Sequence, residues 1–240
     1  MSPTRKTALV AGIFYLITFI SIPTLVLYGP LKTHRDWILG SGGHTGVLVG
    51  CLLEVIVALA GIGTAVTLYP VVRRQHEGLA LGFVTSRVIE GAMIFTGVLS
   101  LISLVSLRHG GATGADAASL VTTGASHVAT YKGTFLLGQT LMPAINALLL
   151  GSLLYRSRLV PRALPVMGLI GAPLLLTAVV AILFGGIEQI SVWTALATLP
   201  VAAWELSLGV WLVVKGFRPS PVTEGMAADR PRPAYQDAAV

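Results

Sequence analysis

From Leu79 to Leu107 the chain runs through an apolar stretch about long enough to cross a bilayer, yet that stretch carries Arg87 and Glu90. An α-helix rises about 1.5 Å per residue, so about 20 apolar residues cover the hydrocarbon core. Residues three apart share a helical face, which lets Arg87 and Glu90 pair. A charge at bilayer depth costs at least about 2.5–3.5 kcal/mol on insertion scales, and such side chains turn toward a protein interior or a water-filled cavity. Any fold for this chain has to give the pair something other than lipid to face.

Composition points the same way. Of 240 residues, 54% are hydrophobic and only 11% charged, with a mean hydropathy of +0.82. Soluble domains carry about 25% charged residues. Dissolved in water, this chain would expose large apolar areas, which soluble monomers avoid. The expectation is one membrane-embedded bundle with the lipid bilayer as its partner. The net charge of +6 raises nucleic acid as another partner. However, the basic residues sit in short clusters between apolar runs, and no recognition-helix, zinc-ligand or RNP-like pattern accompanies them. Orientation of membrane spans explains them better. The single cysteine, Cys51, excludes an intrachain disulfide.

Six spans follow along the chain. The first runs from about Thr7 to Tyr28, behind Arg5 and Lys6, with Pro23 placed to kink its far end. It is longer than a signal-peptide core and lacks a convincing cleavage site, so it reads as an uncleaved span. Lys32 to Gly43 is a polar loop, and His44 to Tyr69 is the second span. Leu79 to Leu107 is the third. Arg108 to Ala129, rich in Gly, Ala, Ser and Thr, reads as an external loop. Thr130 to Leu154, Ala163 to Phe184 and Ser191 to Val214 complete the set. The bundle occupies residues 1–218, and 219–240, proline-rich and without apolar period, reads as a disordered tail.

An even number of spans puts both termini on one side. Arg5, Lys6, Arg73, Arg74, Arg156, Arg158, Arg162, Lys215 and Arg218 all fall there, against Lys32, Arg35, Arg108 and Lys132 opposite. Because cytoplasmic loops favour Lys and Arg, both termini and the tail are expected in the cytoplasm. Two hairpins share a Leu-Tyr pair, Leu68-Tyr69 and Leu154-Tyr155, which is too little to establish an internal repeat.

Several short pieces stand in order along the spans: Ala11-Gly12-Ile13-Phe14-Tyr15-Leu16, Leu68-Tyr69-Pro70-Val71, Ala80-Leu81-Gly82-Phe83 and Arg87-Val88-Ile89-Glu90. Tyr155 to Arg162, Glu205-Leu206-Ser207-Leu208-Gly209 and Lys215-Gly216-Phe217 continue the series. In order and spacing the chain resembles the bacterial six-span membrane proteins of the domain-of-unknown-function family numbered 4386. The resemblance implies an all-α, six-helix fold in the bacterial cytoplasmic membrane, and it brings no catalytic residues to carry over.

Glu54, Arg87, Glu90 and Glu205 are the candidates for chemistry. Counted from the span ends, all four lie roughly 12–17 Å from the nearer surface. Convergence inside the bundle is the cheapest arrangement, since one arginine fork engages two carboxylates. At least one acid is then in surplus. The bland reading is a satisfied polar clamp that fixes helix register; the functional one is a proton- or solute-linked site.

Other features say less. Pro143 and Pro200 remove the donors for the carbonyls of Gln139 and Leu196, and such breaks can expose carbonyls to a solute. Trp193 and Trp211 suit the interfaces, and Trp204 is placed to pack on the polar cluster. Gly46 with Gly50, Gly61 with Ala65 and Gly82 with Ser86 allow close helix approach. His34, His44, His109 and His127, with Asp36 and Asp116, show no metal-ligand spacing. Gly110 to Gly114 lacks the strand–helix context of a nucleotide loop, and no nucleophile–base pattern is present. The sequence therefore suggests no enzyme, cofactor or metal. It suggests a structural, regulatory or sensory membrane component, with a small-solute or proton-coupled transporter as the alternative.

Overall fold

A computed structural model describes residues 1–40, 43–109 and 116–224, and every regular element among them is helical. Six helical segments are long and apolar enough to cross a membrane: Pro3–Leu27, Thr45–Val72, Glu77–His109, Ala117–Ser157, Ala163–Leu183 and Val192–Val214. Each packs along the next in sequence, and the sixth packs back on the first, which closes a ring. The outer surface is apolar, with Leu52, Leu59, Val66, Leu99 and Ile170 exposed. That is the surface a bilayer accepts.

Two apolar layers fill the ring. One lies toward the chain termini and includes Tyr15, Leu68, Phe83, Leu150 and Trp204. The other lies toward the opposite face and includes Tyr28, Cys51, Val57, Ile94 and Tyr131. Along the third span Phe83 belongs to the first layer and Ile94 to the second, with Arg87 and Glu90 between them.

Two helices depart from α regularity near this middle level. In the first span the regular helix ends at Ile17 and a 3-10 turn, Thr18–Ser21, follows. Pro23 is the cause, because its ring displaces the carbonyl four residues back and offers it no N–H. That carbonyl, on Phe19, accepts instead from the Ile22 N–H at 3.3 Å. In the fourth span Pro143 acts likewise on Gln139, and the helix widens into a π segment, Phe135–Leu141. There the Thr140 hydroxyl donates to Phe135 O, five residues back, at 3.4 Å. Pro200 lies within the continuous sixth helix.

The expected loop from Arg108 to Ala129 needs correction, since helix begins at Ala117 and runs through the fourth span. Asp116 caps it by accepting from the Ser119 N–H at 2.6 Å. The alanines carry helix propensity through a stretch too polar to look like a span. Its small face, at Gly124, rests on Ile38 of the 3-10 turn Trp37–Leu39. The Gly110 to Gly114 stretch lies outside the described residues, as does 225–240 of the tail. The tail's first residues pack on the bundle, where Ser220 is buried and donates to Ser157 O at 2.6 Å.

The fifth and sixth spans meet closely at Gly171, where an added Cβ would lie 2.8 Å from Pro200 Cβ and 2.9 Å from the Val201 backbone N. Gly171→Val is expected to lower the thermal midpoint in detergent, by an overpacking cost of about 1–3 kcal/mol. Gly133→Ala, which meets nothing within 4 Å, is expected not to lower it.

Candidate polar site within the bundle

Arg87 stands at the centre of the site, 2% exposed. Its Nη1 donates to Glu90 Oε2 at 2.9 Å, one helical turn along the same span. Its Nη2 donates to Glu205 Oε1 of the sixth span at 2.6 Å, and lies 3.5 Å from the Tyr15 hydroxyl of the first. The rings of Tyr15 and Phe83 flank the guanidinium, with centroids 5.5 and 5.7 Å from Cζ. Gly61 of the second span leaves room for it, since a Cβ there would only just reach the Arg87 side chain, at 3.9 Å. The fourth span supplies Asn146, whose Nδ2 donates to Glu90 Oε2 at 2.7 Å.

The structure thus brings Arg87, Glu90 and Glu205 together and leaves Glu54 outside that contact set. Glu54, 1% exposed, belongs to a second network. Its Oε1 accepts from the Tyr131 hydroxyl at 2.7 Å and from Gln139 Nε2 at 3.3 Å. Its Oε2 has no hydrogen-bond partner among the described residues. Tyr131 and Gln139 are eight apart, which in a regular α-helix sets them about 80° apart round the axis. The π segment Phe135–Leu141 narrows that offset.

A cavity of about 150 Å³ lies between the two networks. Arg87, Glu90, Glu205 and Gln139 border it, with Thr18 and Ser21 of the 3-10 turn and Pro143 behind the π segment. The carboxylate-bearing side chains keep contact with that space, with 11% of Glu90 and 12% of Glu205 accessible. Both irregular helices reach it, and Ala202 and Glu205 of the sixth span border it as well.

A second cavity, of about 510 Å³, opens at the face opposite the termini, bordered by Lys32, Tyr131, Lys132, Phe135 and Glu188. Lys32 Nζ sits 5.1 to 5.7 Å from the ring centroids of Tyr28, Tyr131 and Phe135, a cation–π setting. Burial pushes the Lys32 ammonium below the usual lysine range, the Glu54 carboxyl opposes that, and the Lys132 charge adds to it.

The remaining sequence candidates fall elsewhere. His44 and His109 meet at the face opposite the termini, Nε2 to Nε2 at 2.9 Å, and His127 Nδ1 is 3.2 Å from Ser100 Oγ. No group of three metal-ligating side chains gathers among the described residues. Trp204 is buried against Gly168 of the fifth span, in the apolar layer on the terminal side.

With the geometry in place, comparison with known families is informative. The family model for the domain of unknown function DUF4386 matches residues 10–216, a range that holds every side chain of both networks. The chain belongs to this family. No curated protein and no solved structure matches it. Within the DUF4386 bundle, sequence reasoning assigned no site role to the side chains of Tyr15 and Tyr131, nor to those of Asn146 and Gln139. Those two are seven apart, so their shared face was the available signal.

Arg87→Met removes the one cation from two buried carboxylates. Breaking a buried pair from one side costs about 3–5 kcal/mol, so the variant is expected to lose most membrane accumulation and thermal stability in detergent. Glu205→Gln keeps volume and hydrogen bonding and is expected to lose much less.

Proposed function

We propose that this multi-pass protein is a non-catalytic carrier of the bacterial cytoplasmic membrane, with both termini in the cytoplasm. Its central cavity binds a small cationic or protonatable solute against Glu90 and Glu205. The observation behind this reading is the cavity of about 150 Å³ at the ion-paired triad. A pure register clamp works best when packing closes over the charges; here both carboxylates border open space. A cavity of about 150 Å³ is large enough for a benzene-sized molecule. Two carboxylates against one guanidinium leave one negative charge in surplus, which favours a proton, a metal cation or an ammonium group over an anion.

The backbone supports the same reading. Irregular helix at membrane depth is tolerated where it is buried in protein or lines a cavity, and discontinuous helices recur at carrier binding sites. The 3-10 and π segments both border this cavity. The excess of Lys and Arg on the terminal side supports the orientation.

Thermal stabilisation of the purified protein across a panel of inorganic cations, small amines and amino acids tests the proposal. A ligand at a hundred times its Kd adds about 2.7 kcal/mol by mass action. The expected result is a stabilising compound whose effect Glu205→Gln removes, with counterflow in proteoliposomes that the same substitution abolishes. Stabilisation without flux would replace the carrier with a sensor, and no Glu205-dependent ligand would leave the structural reading.

A further inference from the structure

Glu54, whose Oε2 has no hydrogen-bond partner among the described residues, is bonded by one residue from the border of each cavity. Glu54 is held by Tyr131, which borders the cavity at the face opposite the termini, and by Gln139, which borders the central one. We propose that Glu54 is a proton-binding site between an outer vestibule and the central cavity, with Tyr131 and Gln139 as its positioning residues on either side. This rests on the carrier reading only for what the proton meets at the inner end of the path.

Three observations carry the inference. First, the carboxyl is buried, yet both of its hydrogen bonds fall on Oε1, so Oε2 is available to carry a proton. A buried carboxylate is ordinarily met by a cation or by donors on both oxygens. Second, the titratable groups that face it are Tyr28 and Lys32 from the connection after the first span, Cys51 on its own helix and Tyr131 from the fourth span. The one cation among them, Lys32, is directed over three aromatic rings and makes no ion pair with Glu54. Third, the contact falls where the fourth span departs from α geometry, and the π segment narrows the angle between Tyr131 and Gln139, both of which bond Glu54. A helix distorted for packing alone has no need to bring two polar side chains to one carboxyl.

The step is a plain proton transfer. Hydronium in the vestibule gives up a proton and leaves as water while an O–H bond forms at Glu54 Oε2, neutralising the carboxylate. On release that bond breaks toward water in the central cavity, which becomes hydronium beside Glu90 and Glu205.

Infrared difference spectroscopy on the full-length protein in phosphatidylethanolamine–phosphatidylglycerol liposomes, stepped between alkaline and acid buffer, reads the carboxyl directly. The expected result is a protonated-carboxyl carbonyl band that rises with acid and is lost in Glu54→Gln but kept in Glu205→Gln. Tyr131→Phe, which removes a hydrogen bond to Oε1 and keeps the ring, is expected to move the same band to higher frequency. That variant carries the test should Glu54→Gln fail to accumulate. A band indifferent to both substitutions, or no titrating band, overturns the proposal. No solute is needed, so the two readings fail separately. A Glu54 band without any solute binding removes the carrier and keeps the proton site, and solute binding without the band does the reverse.

Discussion

The shared guanidinium of Arg87 is the interaction on which the bundle depends. Through Glu90 it is fixed on its own span, through Glu205 it reaches the sixth, and Tyr15 lines it from the first. These contacts fall where the ring closes, between the end of the chain and its beginning. Nonpolar packing alone gives spans little preference among registers, because lipid tails are as apolar as the side chains they replace. A charge with two fixed partners removes that freedom, since a helix slipped by one turn would strand a carboxylate. Lysine would not serve equally, as its single ammonium lacks the planar fork that meets two acids at separate angles.

Around this centre the backbone gives up regularity in an ordered way. Pro23 ends the first helix just beyond Tyr15, and Pro143 widens the fourth just before Asn146. Each proline acts one turn upstream of itself, so both distortions fall at the level of the charges and face inward. In lipid an unpaired carbonyl has no water to turn to. Thr18 and Thr140 respond by hydrogen-bonding neighbouring backbone carbonyls, on Tyr15 and Phe135. The distorted turns are therefore capped locally, and the space beside them stays open.

The fold was legible in the sequence because span length and charge spacing are one-dimensional signals. Apolar runs, basic clusters and the Arg87–Glu90 spacing each survive without knowledge of the neighbours. The helix from Ala117 was missed because it buries little, only Gly124 and Tyr131, and its many exposed small and polar residues read like loop to hydropathy. Three of the four candidate ions share contacts, since depth along a span follows from counting residues. Glu54 stands apart because azimuth does not follow from counting, and the π insertion in a different helix decides which side chains reach it. Tyr131 and Gln139 come from a different span, and nothing in the linear spacing says that they meet Glu54.

The separation of Glu54 from the triad has an electrostatic consequence. One guanidinium faces three buried carboxyls, and only two of them touch it. The third bonds Tyr131 and Gln139 instead, and the two networks feel each other across the cavity that lies between them. A positive charge in the central cavity then lowers the attraction of Glu54 for a proton, and a proton on Glu54 lowers the attraction of the cavity for a cation. By linkage the two effects are equal in free energy. Joined directly to Arg87, Glu54 would be neutralised by it and insensitive to what the cavity holds. Bonded instead to Tyr131 and Gln139, it stays responsive to that charge.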